Sequence, residues 1–187
     1  MNVYKGIGLA IVLILATGSV TSSYSNYSNK MVYADNNEFV FAVNDCIDFV
    51  NLSIDADQRV STEIIISMAV MESGYGKSRF AIEGNNLFGI RTWNKDIPQL
   101  KPLGDPDAVW GVRAFENKCE SVKNMVNTIN GHHAYELFRN ERAIQLETNS
   151  LNINKQIELL SKWSTNPDYV DLIKQKVLSI RKVLENA

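Results

Sequence analysis

The sequence is short of the residues that several functional classes require. Among its 187 residues there are two cysteines, Cys46 and Cys119, too few for a disulfide framework. They read as two buried small apolar side chains, with a single bridge after export as the alternative. There is no basic stripe of the kind a nucleic-acid binder carries, since the formal net charge is -2. Neither an HExxH-like metal pattern, a phosphate-cradling glycine loop nor a Ser-His-Asp elbow occurs. The two histidines, His132 and His133, are adjacent, so on a helix they face different ways. A helix-start or surface role suits them better than metal ligation. No metal, cofactor or nucleic-acid partner is expected, and no internal repeat is visible.

Acidic residues are missing from the first thirty-four positions, which hold only Lys5 and Lys30 as charges. An uncharged apolar run from Gly6 to Val20 follows Lys5, and a polar Ser/Asn/Tyr stretch follows that. The run is shorter than the ~20 residues of a membrane span and matches a signal-peptide core. Residues 1–34 are therefore read as a signal peptide or an N-terminal membrane anchor, and 35–187 as one folded domain. Export, with the domain either released or held at the outer face of the cytoplasmic membrane, follows from this reading. Without the leader the balance is 17 basic (19 less Lys5 and Lys30) against 21 acidic groups, a net -4. Recognition of an anionic polymer must then come from a shaped groove rather than from bulk charge.

What is present is a globular composition, 45% hydrophobic and 21% charged, and a largely helical pattern. Phe39, Val43, Ile47 and Val50 recur at helical spacing. The stretch 61–73 reads as a second helix, with Ser61 as cap, Val60 stapled on Ile65, and Gly74 as the left-handed stop. Residues 84–93 lead into a strand that returns at 108–115. Between them, 94–107 reads as an exposed loop with three of the four prolines, which makes the pair an irregular hairpin. Beyond Cys119 the apolar positions fall three or four apart. In the last helix Asn166 is read as cap, Pro167 as first helical residue and Asp168 as favouring the positive end of the dipole. Its basic residues Lys174, Lys176, Arg181 and Lys182 read as a solvated face. The expected fold is mostly α with a small β-hairpin.

One segment, 71–93, carries chemistry. Glu72 falls in the last turn of an apolar helix, on the face of Ile65 and Met68. An apolar wall and a negative helix end both favour the protonated carboxyl that a glycosidase uses to protonate a leaving oxygen. A solvated glutamate at a helix end is the plainer alternative.

Glu72-Ser73, Tyr75-Gly76-Lys77-Ser78 and Asn85-Asn86-Leu87-Phe88-Gly89 together resemble the pattern of glycoside hydrolase family 73. Residues 127–143 and 161–170 are similar to its Bax-like branch in particular. The resemblance implies a lysozyme-like α+β single domain that hydrolyses peptidoglycan glycan strands at the N-acetylglucosaminyl–β-1,4–N-acetylmuramyl bond. It implies Glu72 as catalytic acid and no cofactor. It also implies substrate contacts from Tyr75, Asn85, Asn86, Phe88, Trp93, Trp163 and Tyr169, and Trp110 can stack on a sugar face as well. Many members have a second carboxylate in the hairpin, for which this chain offers Asp96, Asp105, Asp107 and Glu116. If none serves, the substrate's own 2-acetamido group can act as nucleophile. Trp163 stands where the family usually has Tyr, while Tyr169 matches its second Tyr. The same fold also hosts lytic transglycosylases, and a non-catalytic wall-binding module is a further alternative.

A chain that begins at Asp35 should fold and stay soluble by circular dichroism and gel filtration. Loss of helical signal on deleting 1–34 would overturn the leader reading.

Overall fold

In a computed structural model the structure describes residues 34–186, and nearly all of the leader lies outside the described residues. Helix α1, Asn36–Asn51, starts where the Asp35 carboxylate accepts hydrogen bonds from the Asn37 and Glu38 amides. Its buried stripe, Phe39, Val43, Ile47 and Val50 among others, is the one its spacing predicts. Helix α2, Thr62–Ser73, is different in kind: Ile64 through Val70 are all buried. A helix apolar all round needs partners on all sides, and α1 and the C-terminal helix α7, Tyr169–Glu185, both pack against it. Its β-branched isoleucines thus belong to a core helix and not to a strand.

At the start of α2 the Ser61 side chain makes no capping bond. The Ser61 carbonyl instead accepts from the Ile64 and Ile65 amides at 3.0 and 3.1 Å. Gly74 ends the helix at φ 59°. Tyr75 and Gly76 continue in the left-handed region at 58° and 72°, which turns the chain sharply away from Glu72.

A short helix α3, Arg79–Glu83, capped by Ser78, leads into the sheet. Strands β1, Arg91–Thr92, and β3, Gly111–Arg113, pair antiparallel as expected. The hairpin reading is nevertheless incomplete. A further strand β2, Gln99–Leu100, inside the supposed loop pairs with the other edge of β3 and gives the order β1-β3-β2. Two-residue strands have no room for an alternating pattern, so composition alone marks 94–107 as loop. Gly111 leaves room for the Gln99 side chain across the pair, which a Cβ there would have to push aside.

Helices α4, Lys118–Gly131, α5, Glu136–Glu147, and α6, Ile153–Glu158, complete the body with α7. Helix α7 begins two residues later than the sequence suggests. Asn166 accepts from the Asp168 amide through its side chain and from the Tyr169 amide through its carbonyl, so Pro167 lies before the helix. Asp168 makes no side-chain cap. The basic residues of α7 are not simply solvated. Arg181 forks onto the Glu63 carboxylate with bonds of 2.9 and 2.8 Å, and Lys174 pairs with Glu158 at 2.7 Å. Lys176 Nζ stands 5.5 Å from the centre of the Tyr75 ring.

The cysteine reading is also corrected: Cys46 on α1 and Cys119 on α4 form a disulfide with Cα atoms 4.9 Å apart. Both side chains are buried, as composition predicts, but the packing of α1 on α4 brings them together. The bridge spans 73 residues, so it restricts the unfolded chain substantially. Replacing both cysteines with alanine should lower unfolding free energy by about 2–4 kcal/mol in a urea titration. An unchanged midpoint would show that the bridge adds nothing.

Candidate functional site

The C-terminal end of α2 opens onto a cleft of about 490 Å³ between the sheet and the helices. Its lining includes Glu72, Phe80, Phe88, Arg91, Trp110, Thr128, Tyr135, Trp163, Ser164 and Thr165. The sheet supplies one wall and the aromatic rings of the helical body the other. Phe88 meets Trp163 edge-on at 6.4 Å, and Trp163 lies 5.9 Å from Tyr135. Such a cleft has the form of a site for an amphipathic ligand with flat apolar faces, such as a sugar.

Glu72 is carried into this space by the α2 core. Met68 and Ile65, one and two turns behind it on the same face, have no exposed surface. Gly89, left-handed at φ 65°, brings the next loop across the carboxyl, so that a Cβ there would stand 3.9 Å from Glu72 Oε2. Burial raises the proton affinity of Glu72 above its ordinary value of 4.5, and the neighbouring Tyr169 hydroxyl partly opposes the rise. The negative end of α2 acts in the same direction as burial. Tyr169 is itself only 4% exposed, and its hydroxyl lacks a hydrogen bond of good geometry within the described protein. It is close enough to Glu72 that burial and the carboxylate together push its own pKa far up. It therefore stays protonated, a donor poised behind the carboxyl.

The other residues of the motif build the frame. Asn86 is 1% exposed and fully engaged. Its Oδ1 accepts from the Phe88 and Ile90 amides, while its Nδ2 donates to the Ile90 and Arg113 carbonyls. Asn85, at φ 52°, donates to the Phe115 and Glu116 carbonyls and accepts from the buried Lys118. Ser73 accepts from the Gly76 amide, closing the turn after Glu72. These side chains tie the loop to β3 and α4 and leave the lining to others.

Of the residues singled out from sequence, the fold brings Glu72, Phe88, Trp110 and Trp163 to one cleft, with Tyr169 behind Glu72. Asn85 and Asn86 lie beneath it. Tyr75 packs edge-on against Phe39 at 6.0 Å, and Trp93 is 64% exposed outside the lining. Asp96, Asp105, Asp107 and Glu116 are exposed and line no part of the cleft. Glu72 is its one carboxylate among the described residues. Phe80, Arg91, Thr128, Tyr135, Ser164 and Thr165 also line the cleft, although no local pattern in the sequence marks them for it. The last two adjoin Trp163, and Tyr135 follows the histidine pair, where His132 Nδ1 accepts from the Ala134 amide at the start of a 3-10 turn. That is the helix-start role expected for the pair.

Residues 52–182 match the family model described as mannosyl-glycoprotein endo-beta-N-acetylglucosaminidase. Protein bax from Escherichia coli (strain K12) is 36% identical over 84 residues, which make up 45% of this chain and 29% of that relative. The chain thus aligns with less than a third of that relative's length. Among solved structures, the catalytic domain of the autolysin Auto from Listeria monocytogenes superposes with a TM-score of 0.59 at 16% identity. That match covers 80% of this chain and 86% of that domain. A peptidoglycan hydrolase mutant from Sphingomonas sp. A1 gives 0.56 at 15% identity, covering 81% and 99%. At these identities the two structures bear on the fold: mostly helical with a small antiparallel sheet.

The raised pKa of Glu72 has a consequence for stability. The folded protein holds this proton more tightly than the unfolded chain, so the group favours folding most below pH 4.5. That advantage is lost as pH rises through the folded value, where a charge must be buried. Glu72→Gln, with no charge to bury, should melt above wild type at neutral pH, and the gap should close in acid. A gap of equal size at both pH values would mean that the carboxyl is solvated.

Proposed function

This chain belongs to that glucosaminidase family of glycoside hydrolases, and from this premise we propose that it cleaves peptidoglycan glycan strands with Glu72 as general acid. The bond is the β-1,4 link between N-acetylglucosamine and N-acetylmuramic acid. The observation that carries the reading is a carboxyl whose protonated form is favoured by burial, at the floor of an aromatic cleft. Cleavage of a glycosidic bond at such a site needs proton transfer and a nucleophile. Glu72 delivers its proton to the bridging oxygen, the bond from that oxygen to C1 of N-acetylglucosamine breaks, and the muramyl 4-hydroxyl departs. The Tyr169 hydroxyl then donates toward the new carboxylate and steadies it, consistent with its opposing the rise in Glu72 proton affinity.

Since no other carboxylate lines the cleft among the described residues, the 2-acetamido oxygen of the substrate is the nucleophile that closes on C1. Water then opens this ring, leaving a reducing N-acetylglucosamine and returning a proton to Glu72. The same single-carboxylate cleft also favours a second reading, a lytic transglycosylase, which breaks the other link. Glu72 then protonates the oxygen between C1 of N-acetylmuramic acid and the next N-acetylglucosamine, and that bond breaks. The same muramyl residue's 6-hydroxyl closes on its C1 and returns a proton to Glu72, leaving a 1,6-anhydro end.

Work at the wall requires export, in keeping with the leader and with a Cys46–Cys119 bridge, which persists in oxidising surroundings. Retention of the leader would hold the domain at the membrane face. Among the described residues no helix is long and apolar enough to cross a membrane.

Reducing-end analysis and mass spectrometry of digested peptidoglycan test both readings. Wild type should yield new reducing N-acetylglucosamine, whereas anhydro ends would select the transglycosylase. Glu72→Gln should bind wall fragments as wild type does and lose at least about 100-fold in rate. Wild-type turnover by this variant would remove Glu72 from the mechanism.

A further inference from the structure

Arg91 has no role in the chemistry above, yet it occupies a prominent place. It lies on the exposed side of β1, and its guanidinium stacks 4.3 Å from the ring centre of Trp110. Both residues line the cleft, and Arg91 is the one cationic side chain that does so among the described residues. No described carboxylate or carbonyl accepts from it. The contrast with the other arginines is informative. Arg181 forks onto Glu63, and Arg79 bonds Glu83 and the Lys101 carbonyl. Arg142 holds the Gln58 carbonyl and Asn130, Arg139 holds the Ile129 and His132 carbonyls, and Arg59 holds the Asn51 carbonyl. Those five tie the chain together, and the sixth, Arg113, lies 4.9 Å from the Phe115 ring centre and outside the cleft lining, so Arg91 is the arginine that faces the cleft.

A guanidinium held flat on an indole loses less freedom on binding than a mobile one, and its fork matches a carboxylate. A cation that faces open cleft, with no acceptor in the described protein, is suited to a ligand. Resting on the peptidoglycan reading, we propose that Arg91, seated on Trp110, is a specificity residue that binds a carboxylate carried by the glycan strand. Every second sugar of such a strand bears a lactyl ether, whose carboxyl is either free or extended by a peptide with carboxylates of its own. A strand seated along the cleft therefore brings one of these groups to a fixed cation in one register and a bare N-acetylglucosamine in the other. Arg91 then selects the register in which the scissile bond meets Glu72.

Wild type, Arg91→Ala and Arg91→Lys are compared on three glycans. These are chitin oligomers without carboxylates, stem-free peptidoglycan strands with free lactyl groups, and strands that keep their peptides. Binding is followed by tryptophan fluorescence and turnover by new reducing ends. Arg91→Ala should weaken binding and raise KM about fivefold on a carboxylate-bearing strand, with kcat nearly unchanged and chitin binding unaffected. Arg91→Lys should recover part of the loss, and added salt should shrink the difference. A loss confined to stem-free strands identifies the lactyl carboxylate, and one confined to peptide-bearing strands identifies the peptide. Equal loss on chitin, or no loss on either acidic strand, overturns the proposal. Arg91-dependent binding without new ends would sink the hydrolase reading and leave this one standing; cleavage without Arg91 dependence would do the reverse.

Discussion

Burial of helix α2 on all sides is the constraint on which the rest of the architecture depends. Seven consecutive residues, Ile64 to Val70, are withdrawn from water, so helices must surround this segment. The most buried of them contribute on the order of 1.5–3 kcal/mol each in transfer free energy. A rigid core helix is also a good mount for a reactive group, since its last turn inherits the helix's fixed position. Glu72 occupies that turn, and the left-handed residues Gly74, Tyr75 and Gly76 take the backbone away before it can cover the carboxyl. Fold stability and the altered proton affinity of Glu72 thus have one source, the same apolar mass behind both.

The sheet is too small to hold itself together, with strands of two and three residues. It is held instead by polar side chains from the loop before it. Asn86 satisfies both ends of its amide on backbone groups, including the Arg113 carbonyl of β3, and Asn85 donates to two carbonyls at the exit of β3 while accepting from the Lys118 side chain. A buried amide with every bond made is strongly position-specific, because any shift leaves donors and acceptors unpaired. This explains why the two asparagines lie under the cleft rather than in it. They fix where Phe88, Gly89 and Arg91 stand relative to Glu72, and so they act on a ligand through the backbone.

Charge is distributed with similar economy. Ion pairs such as Arg181 with Glu63 tie α7 to the start of α2, far from the cleft. The cleft itself keeps one acid, whose protonated form is favoured, and one guanidinium on an indole platform. An interior lined by rings and hydroxyls suits the flat ring faces of a sugar polymer. Isolated charges placed in it are then read individually rather than as a field.

Much of this was legible in the sequence wherever the signal is local. The amphipathic stripe of α1, the left-handed stop at Gly74 and the position of Glu72 on the face of Ile65 and Met68 depend on residues within a few positions of one another. The motif from Glu72 to Gly89 likewise lies at the end of α2 that opens onto the cleft. What the sequence could not express were interactions between residues far apart along the chain. Cys46 and Cys119 are 73 positions apart, and Arg181 and Glu63 are 118 apart, so only packing of the helices brings them together. Strand β2 has two residues and no periodicity, and its existence depends on the free edge of β3. The aromatic wall of Tyr135 and Trp163, and Arg91 opposite, come from segments that meet only in three dimensions. The sequence by itself determined most of the helices and the place of Glu72 in the last turn of one of them. The tertiary structure alone decided what surrounds that acid, because desolvation and cleft lining are properties of neighbours in space.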